Sequence, residues 1–294
     1  MRRLGVVLFW LLWRLLPAGA LGWLGEGLGA ALYFVARVRV RVGLTNLSLC
    51  FPELDEAARH ALLRAHFRAL GRATLQETVS WWGSRDEVER LTRFEGLEHL
   101  APHKGKPLIW LAPHFVGLNI GGVRVTAAYA PIVSLYASIK NPLIENLMLH
   151  ARMRFVGAGG ASEMYSRQDG IKPVLRAIKK GRPFYYLPDM DYGPRDAIFV
   201  PFFGTPTATI TGVSRIARAT GAVVVPCITR QEDGAYVTRF YPAWAHFPTE
   251  DVAADTARMN AFIEARIRET PAQYFWLHKR FKTRPPGEAS LYQT

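Results

Sequence analysis

The sequence predicts an α/β fold: a mixed, largely parallel sheet flanked by helices, with an N-terminal membrane-associated helical segment. Three observations lead there. Short apolar runs alternate with stretches of helical periodicity, the pattern of a sheet layered between helices. Residues 4–36 are almost wholly apolar, which sets them apart from the rest of the chain. The chain has 294 residues, 49% of them hydrophobic and 21% charged, enough for a sizeable core and too apolar for a disordered chain. The expected division is a membrane anchor with its basic flank over 1–41 and an α/β domain over 42–294.

In chain order, the apolar run comes first. A bilayer span takes about 20 apolar residues, and Arg14, Pro17 and Glu26 interrupt this one. Arg2 and Arg3 with the small residues Ala18, Gly19 and Ala20 resemble a signal peptide. The apolar run continues past them, however, and Arg37, Arg39 and Arg41 come next. The expectation is an uncleaved segment, spanning or lying shallowly as a bent hairpin, its basic flank on an anionic leaflet. An amphipathic helix is expected over 54–80. Strands are expected at 106–113 (KPLIWLAP), 131–137 (PIVSLYA), 183–189 (PFYYLPD) and 222–228 (AVVVPCI). Helices are expected from about Gly117, over 141–155 with a proline in its first turn, over 169–180 and over 251–269.

Charge and composition narrow the function. A net charge of +13 points to a polyanionic partner: nucleic acid, an anionic membrane or an acidic carrier protein. The basic residues do not interleave with stacking aromatics, and the first 36 residues favour lipid, so no nucleic-acid partner is expected. Cys50 and Cys227 read as buried thiols of a reducing compartment. His99 and His103 lack the further ligands a metal needs, so no metal is expected. GVSRI at 212–216 lacks the second glycine of a nucleophile elbow, and no cysteine neighbours a plausible base. Direct attack is therefore expected rather than a covalent acyl-enzyme.

The stretch LAPHFVGLNIGG (111–122) holds the candidate base. His114 comes just after a strand, at the end where open α/β sheets place ligands. Asn119, in the first turn of the next helix, is expected to fold back and fix the imidazole tautomer, leaving the other nitrogen as a base. Asp189, Asp191 and Arg195 fall in the loop after a later strand, again at a ligand-facing end, and read as substrate contacts or as opposite charges that brace the loop, with Tyr192 and Gly193 shaping its turn. Lys279, Arg280, Lys282 and Arg284 form a basic run, either a solvated tail or a contact for lipid phosphate or an acidic carrier. Trp81 and Trp82 suit an interface anchor or a core.

Further blocks extend the pattern: TNLSLCFPEL (45–54), YASIKNPLIENLMLHAR (136–152), PDMDYGPR (188–195) and WLHKRFKTRP (276–285). With them the sequence resembles the late acyltransferases of lipid A biosynthesis, within the lysophospholipid acyltransferase superfamily, over nearly the whole chain. The resemblance implies a membrane-associated α/β acyltransferase at the bacterial inner membrane, its catalytic domain on the cytoplasmic side. It implies transfer of a fatty acyl chain from acyl carrier protein to a hydroxyl of a lipid A precursor or related glycolipid. The donor would be the carrier's phosphopantetheine thioester, with no resident cofactor. It also implies substrate contacts from Asn141, Arg152, Arg154 and Arg167, an arginine fork suiting phosphate. The sequence departs at Asn119, where the family motif has Asp or Glu. Three readings stay open: a slower enzyme, one tuned to another acceptor, or a chain carrying an inactivating change.

Overall fold

The computed structural model describes residues 2–138 and 141–292. The apolar run is two helices, α1 (Arg2–Leu15) and α2 (Ala18–Val35), broken at Pro17 because proline has no N–H for a continuing ladder. Next come α3 (Arg37–Cys50) and the long α4 (Glu56–Trp82). The Asp55 carboxylate caps α4 by accepting from the Ala58 N–H. Helix α5 (Arg85–Leu91) starts on a reciprocal cap between Ser84 and Glu87.

Helix α2 lies against α4 along a seam of glycines. A Cβ on Gly25 would meet the Gly71 carbonyl oxygen at 2.4 Å, and one on Gly29 the Phe67 oxygen at 2.1 Å. The backbones approach this closely only because those side chains are missing. Tyr33, near the end of α2, packs edge-on against Phe67 of α4. Residue 41 falls inside α3, and α2 is seated on α4 through this seam. The outward faces of α1 and α2 remain apolar: Leu4, Leu15, Trp23, Phe34 and Val35 are all exposed.

The remaining elements, in order, are β1 (Thr92–Glu95), β2 (Leu108–Leu111), α6 (Leu118–Tyr129), β3 (Val133–Tyr136), α7 (Pro142–Met153), β4 (Glu163–Ser166), α8 (Lys172–Lys179), β5 (Phe184–Tyr186), β6 (Ala197–Phe202), β7 (Thr205–Ile210), α9 (Gly212–Thr220), β8 (Val223–Glu232), β9 (Ala235–Phe240) and α10 (Val252–Glu269). Seven strands form one sheet in the order β1-β9-β8-β2-β5-β3-β4. The run from β8 to β4 is parallel throughout, and β9 turns back antiparallel to β8. The sheet is thus mixed and largely parallel, flanked by helices, as expected. Residues 108–112 of β2 and its end are buried, as the centre of a sheet covered on both faces requires.

Several elements were not expected. β1 and β4 are four-residue edge strands with polar residues, TRFE and EMYS, and edges tolerate such residues because one side faces away from the ladder. The β6–β7 hairpin turns through Phe203 and Gly204, both at positive φ, the geometry of a type I′ turn. Phenylalanine is a poor signal for that turn.

Candidate active site

Strands β2 and β5 are parallel neighbours, and their last residues, Leu111 and Tyr186, are register partners. Two positions past each stands a proline, Pro113 and Pro188. A proline cannot donate to the ladder, so both strands stop there. The next residues are His114 and Asp189, brought side by side by the register. The Asp189 carboxylate accepts twice from His114: Oδ2 from the backbone N–H at 2.8 Å, and Oδ1 from ring Nδ1 at 2.7 Å. An ionised carboxylate only accepts, so Nδ1 carries the proton and Nε2 is left with its lone pair. Burial pushes the Asp189 carboxyl up, but the charge and hydrogen bonds of His114, helped by Arg280, outweigh it and hold the group below its ordinary value. The C-terminal segment braces this loop, with the Phe275 N–H donating to the His114 carbonyl.

The Asp189 side chain is 1% exposed and that of His114 21%. The histidine therefore forms part of the wall of a cavity of about 510 Å³, while the aspartate supports it from behind. Leu135, Met148 and Leu149 give the cavity apolar wall; Arg152, Arg167, Asp191 and His278 give it polar groups.

Asn119 does not contact His114 as expected. Its Oδ1 accepts from Arg152 of α7 at 2.6 Å, and its side chain lies beside the Glu77 carboxyl of α4. Helix α6 packs on α4 and α7, and the loop after β5 presents Asp189 to the imidazole instead. Burial pushes the Glu77 carboxyl up, against the charge of Arg152 and the Asn119 amide.

The other expected residues divide. Arg167 lines the cavity with its guanidinium 4.0 Å above the Tyr192 ring. Asp191 lines it too, but its carboxylate is committed to the Thr283 N–H at 2.6 Å, the Thr283 hydroxyl at 2.8 Å and the Gly193 N–H at 2.9 Å. Asp189 is a buried support for His114 rather than a substrate ligand. Asn141 caps α7, accepting from the Leu143 N–H, and lies outside the cavity wall. Arg154 donates from Nε to the Ser80 carbonyl and covers the Phe155 ring, tying α7 to the end of α4. Arg195 is exposed and away from the cavity. Arg280, expected in a solvated or ligand-contacting run, is 3% exposed and donates to the Ala208 carbonyl and the Thr209 hydroxyl. Trp81 is buried and packs on Phe9 and Trp82.

Two residues gave no signal in the sequence. Glu77 looks like any acidic residue of an amphipathic helix. His278 stands in the block WLHKRFKTRP, yet nothing in that run distinguishes it from its basic neighbours. Its Nε2 accepts from the Asp191 N–H at 3.0 Å. Burial, then the Arg280 charge, lowers His278 to about 4, so it is neutral near pH 7. Among the described residues no group of three or more His, Cys, Asp or Glu side chains converges as metal ligands would.

Residues 3–283 match the sequence family described as bacterial lipid A biosynthesis acyltransferase. A lipid A biosynthesis lauroyltransferase of Escherichia coli (strain K12) is 36% identical over 297 residues, covering 98% of this chain and 94% of that one. A palmitoleoyltransferase of the same organism is 32% identical, covering 98% and 93%. Its myristoyltransferase is 29% identical, covering 86% and 78%.

Proposed function

The chain belongs to the bacterial lipid A biosynthesis acyltransferase family, and on that premise we propose how its site performs acyl transfer and from which donor. The acyl group comes from an acyl carrier protein thioester and goes to a hydroxyl of a lipid A precursor, with His114 as general base. One observation supports this above the rest: His114, held by Asp189, opens onto a cavity lined by apolar side chains and by the guanidinium groups of Arg152 and Arg167.

The reaction needs few groups. Nε2 of His114 takes the acceptor hydroxyl proton as the oxygen attacks the thioester carbonyl carbon. Asp189 keeps Nδ1 protonated and its negative charge steadies the imidazolium. Negative charge on the carbonyl oxygen is offset by the positive end of α6. The C–S bond then breaks, and the leaving thiolate takes the proton back from His114. The fatty chain lies along the apolar wall. Because Asn119 contacts Arg152 rather than His114, its amide takes no charge away from the base.

The membrane is met by α1 and α2. The 18 residues of α2 extend roughly 27 Å, a little short of a hydrocarbon core of about 30 Å. One face of α2 is fixed on α4 and the other is bare and apolar. Such a helix lies in the interface rather than across it. Exposed Arg37, Arg39 and Arg41 stand at its end for an anionic, cytoplasmic leaflet.

Full-length protein is assayed with acyl carrier protein thioesters and a lipid A precursor on anionic vesicles. Transfer should occur and fall roughly 10²–10⁴-fold in His114→Ala with the fold retained. Near-normal turnover in the folded variant removes His114 from the mechanism. Activity with a coenzyme A thioester alone removes the carrier protein.

A further inference from the structure

We propose that Glu77 is the counter-charge of Arg152, linked to it through the Asn119 amide, and that this three-residue chain positions the Arg152 guanidinium for a substrate phosphate. The proposal rests on the acyl-transfer reading above for what the phosphate belongs to, and on the geometry alone for the chain itself.

Three helices each supply one member: α4 gives Glu77, α6 gives Asn119 and α7 gives Arg152. Arg152 and Asn119 both line the cavity, and the Arg152 to Asn119 bond is 2.6 Å. An arginine withdrawn from water needs a nearby anion to remain favourable. Glu77 is the carboxylate whose charge acts on it. Between the two stands a side chain that must accept from one and donate to the other. A carboxamide can do both at once: Oδ1 accepts from the guanidinium at 2.6 Å, and Nδ2 is a donor available to the neighbouring carboxylate. An aspartate at 119 would accept from Arg152 but face Glu77 with a like charge. A leucine or alanine would leave both ions without a bridge. Asparagine at 119 is therefore matched to glutamate at 77, and the two positions are constrained as a pair.

The consequence for binding is directional. With Nη2 held from behind, the remaining donors of the planar fork are free for two oxygens of one phosphate. Glu77, through the amide, offsets the charge without occupying those donors. The other titratable groups facing the cluster are the Tyr185 hydroxyl of β5 and the Tyr236 hydroxyl of β9, both pushed up by burial and neutral between pH 5 and 8. His114 also lines the cavity and is common to the parent and every variant.

The test is a cycle of Glu77→Gln, Asn119→Asp and the double variant in the full chain. KM is measured separately for donor and acceptor, kcat at saturation, and Tm at pH 5.5 and 8. Each single change should raise KM for the phosphate-bearing partner roughly 10- to 100-fold, the worth of a charge-assisted bond, with a smaller effect on kcat. The double variant reverses the roles: the carboxylate now at 119 accepts from Arg152 and from the amide now at 77. It should recover to within about threefold. Asn119→Asp alone should be impaired most at pH 8 and relieved at pH 5.5, where the paired carboxyls share a proton. The KM that moves tells a phosphate of the acceptor from one of the donor. Losses that simply multiply in the double variant, or an unchanged KM in Glu77→Gln, overturn the proposal. If the parent transfers nothing from these substrates, the functional reading fails instead. The Tm cycle then decides the chain by itself: rescue in the double variant supports it and additive loss overturns it.

Discussion

His114 and Asp189 are 75 residues apart in sequence and joined by two hydrogen bonds, at 2.8 and 2.7 Å. Both stand three positions past register-paired strand ends, Leu111 and Tyr186. The sheet, not a local turn, therefore sets the geometry of the base. The carboxylate just past the neighbouring strand is held to the same loop twice over, since it also accepts from the His114 backbone N–H.

Asp189→Asn should lower kcat about 10²–10⁴-fold while leaving Tm within a few degrees, since an asparagine can present an amide N–H to the ring and favour the wrong tautomer. The measurement is steady-state turnover beside thermal unfolding. Unchanged kcat would mean that another group orients His114.

Arg154→Ala should act on stability alone. The side chain donates to the Ser80 carbonyl and covers Phe155, together worth about 1–2 kcal/mol. KM for both substrates should stay within about twofold. A tenfold rise in the acceptor KM would put Arg154 on the substrate after all.

The glycine seam makes a paired prediction. Gly29→Ala would place a Cβ 2.1 Å from the Phe67 carbonyl oxygen, whereas Gly27→Ala meets nothing within 4 Å. The first should cost about 1–3 kcal/mol by forcing α2 off α4. The second should be neutral or stabilise by up to about 1 kcal/mol, as alanine does in an exposed helix interior. Equal Tm values for the two variants would mean that α2 is not seated on α4.

Acid should destabilise the fold between pH 6.5 and 4. His66 is fully buried and lowered to about 4 by that burial, its Nδ1–H donating to the Ala272 carbonyl at 2.9 Å. His278 is lowered similarly. As pH falls below 6.5 the unfolded chain binds protons that the folded chain refuses until about 4, so stability falls across that window. For His66 the loss is roughly 3 kcal/mol, with His278 adding less because it is only half-buried. His66→Asn keeps a donor for Ala272 without the titration, so its Tm should fall less steeply over the same pH range. Parallel Tm curves for parent and variant would assign the acid sensitivity elsewhere.

The sequence by itself determined the α/β layering, the apolar N-terminus, the strand that ends before His114 and the family to which these blocks point. These are local signals: periodicity, proline and glycine positions, and short motifs whose residues act near one another in the chain. What it misassigned needed partners from far away. Position 119 pointed to His114 because five residues separate them, but Asp189 reaches the imidazole across the β2–β5 register. Arg152, Arg154 and Arg280 look alike as arginines, and only packing made one part of the cavity wall, one a brace and one an interior hydrogen-bond donor. Glu77 carries no mark in sequence at all, since a carboxylate becomes a specific partner only when three helices converge on it. Side-chain chemistry is written residue by residue, while burial and pairing belong to the assembled chain, and the tertiary structure alone decided them.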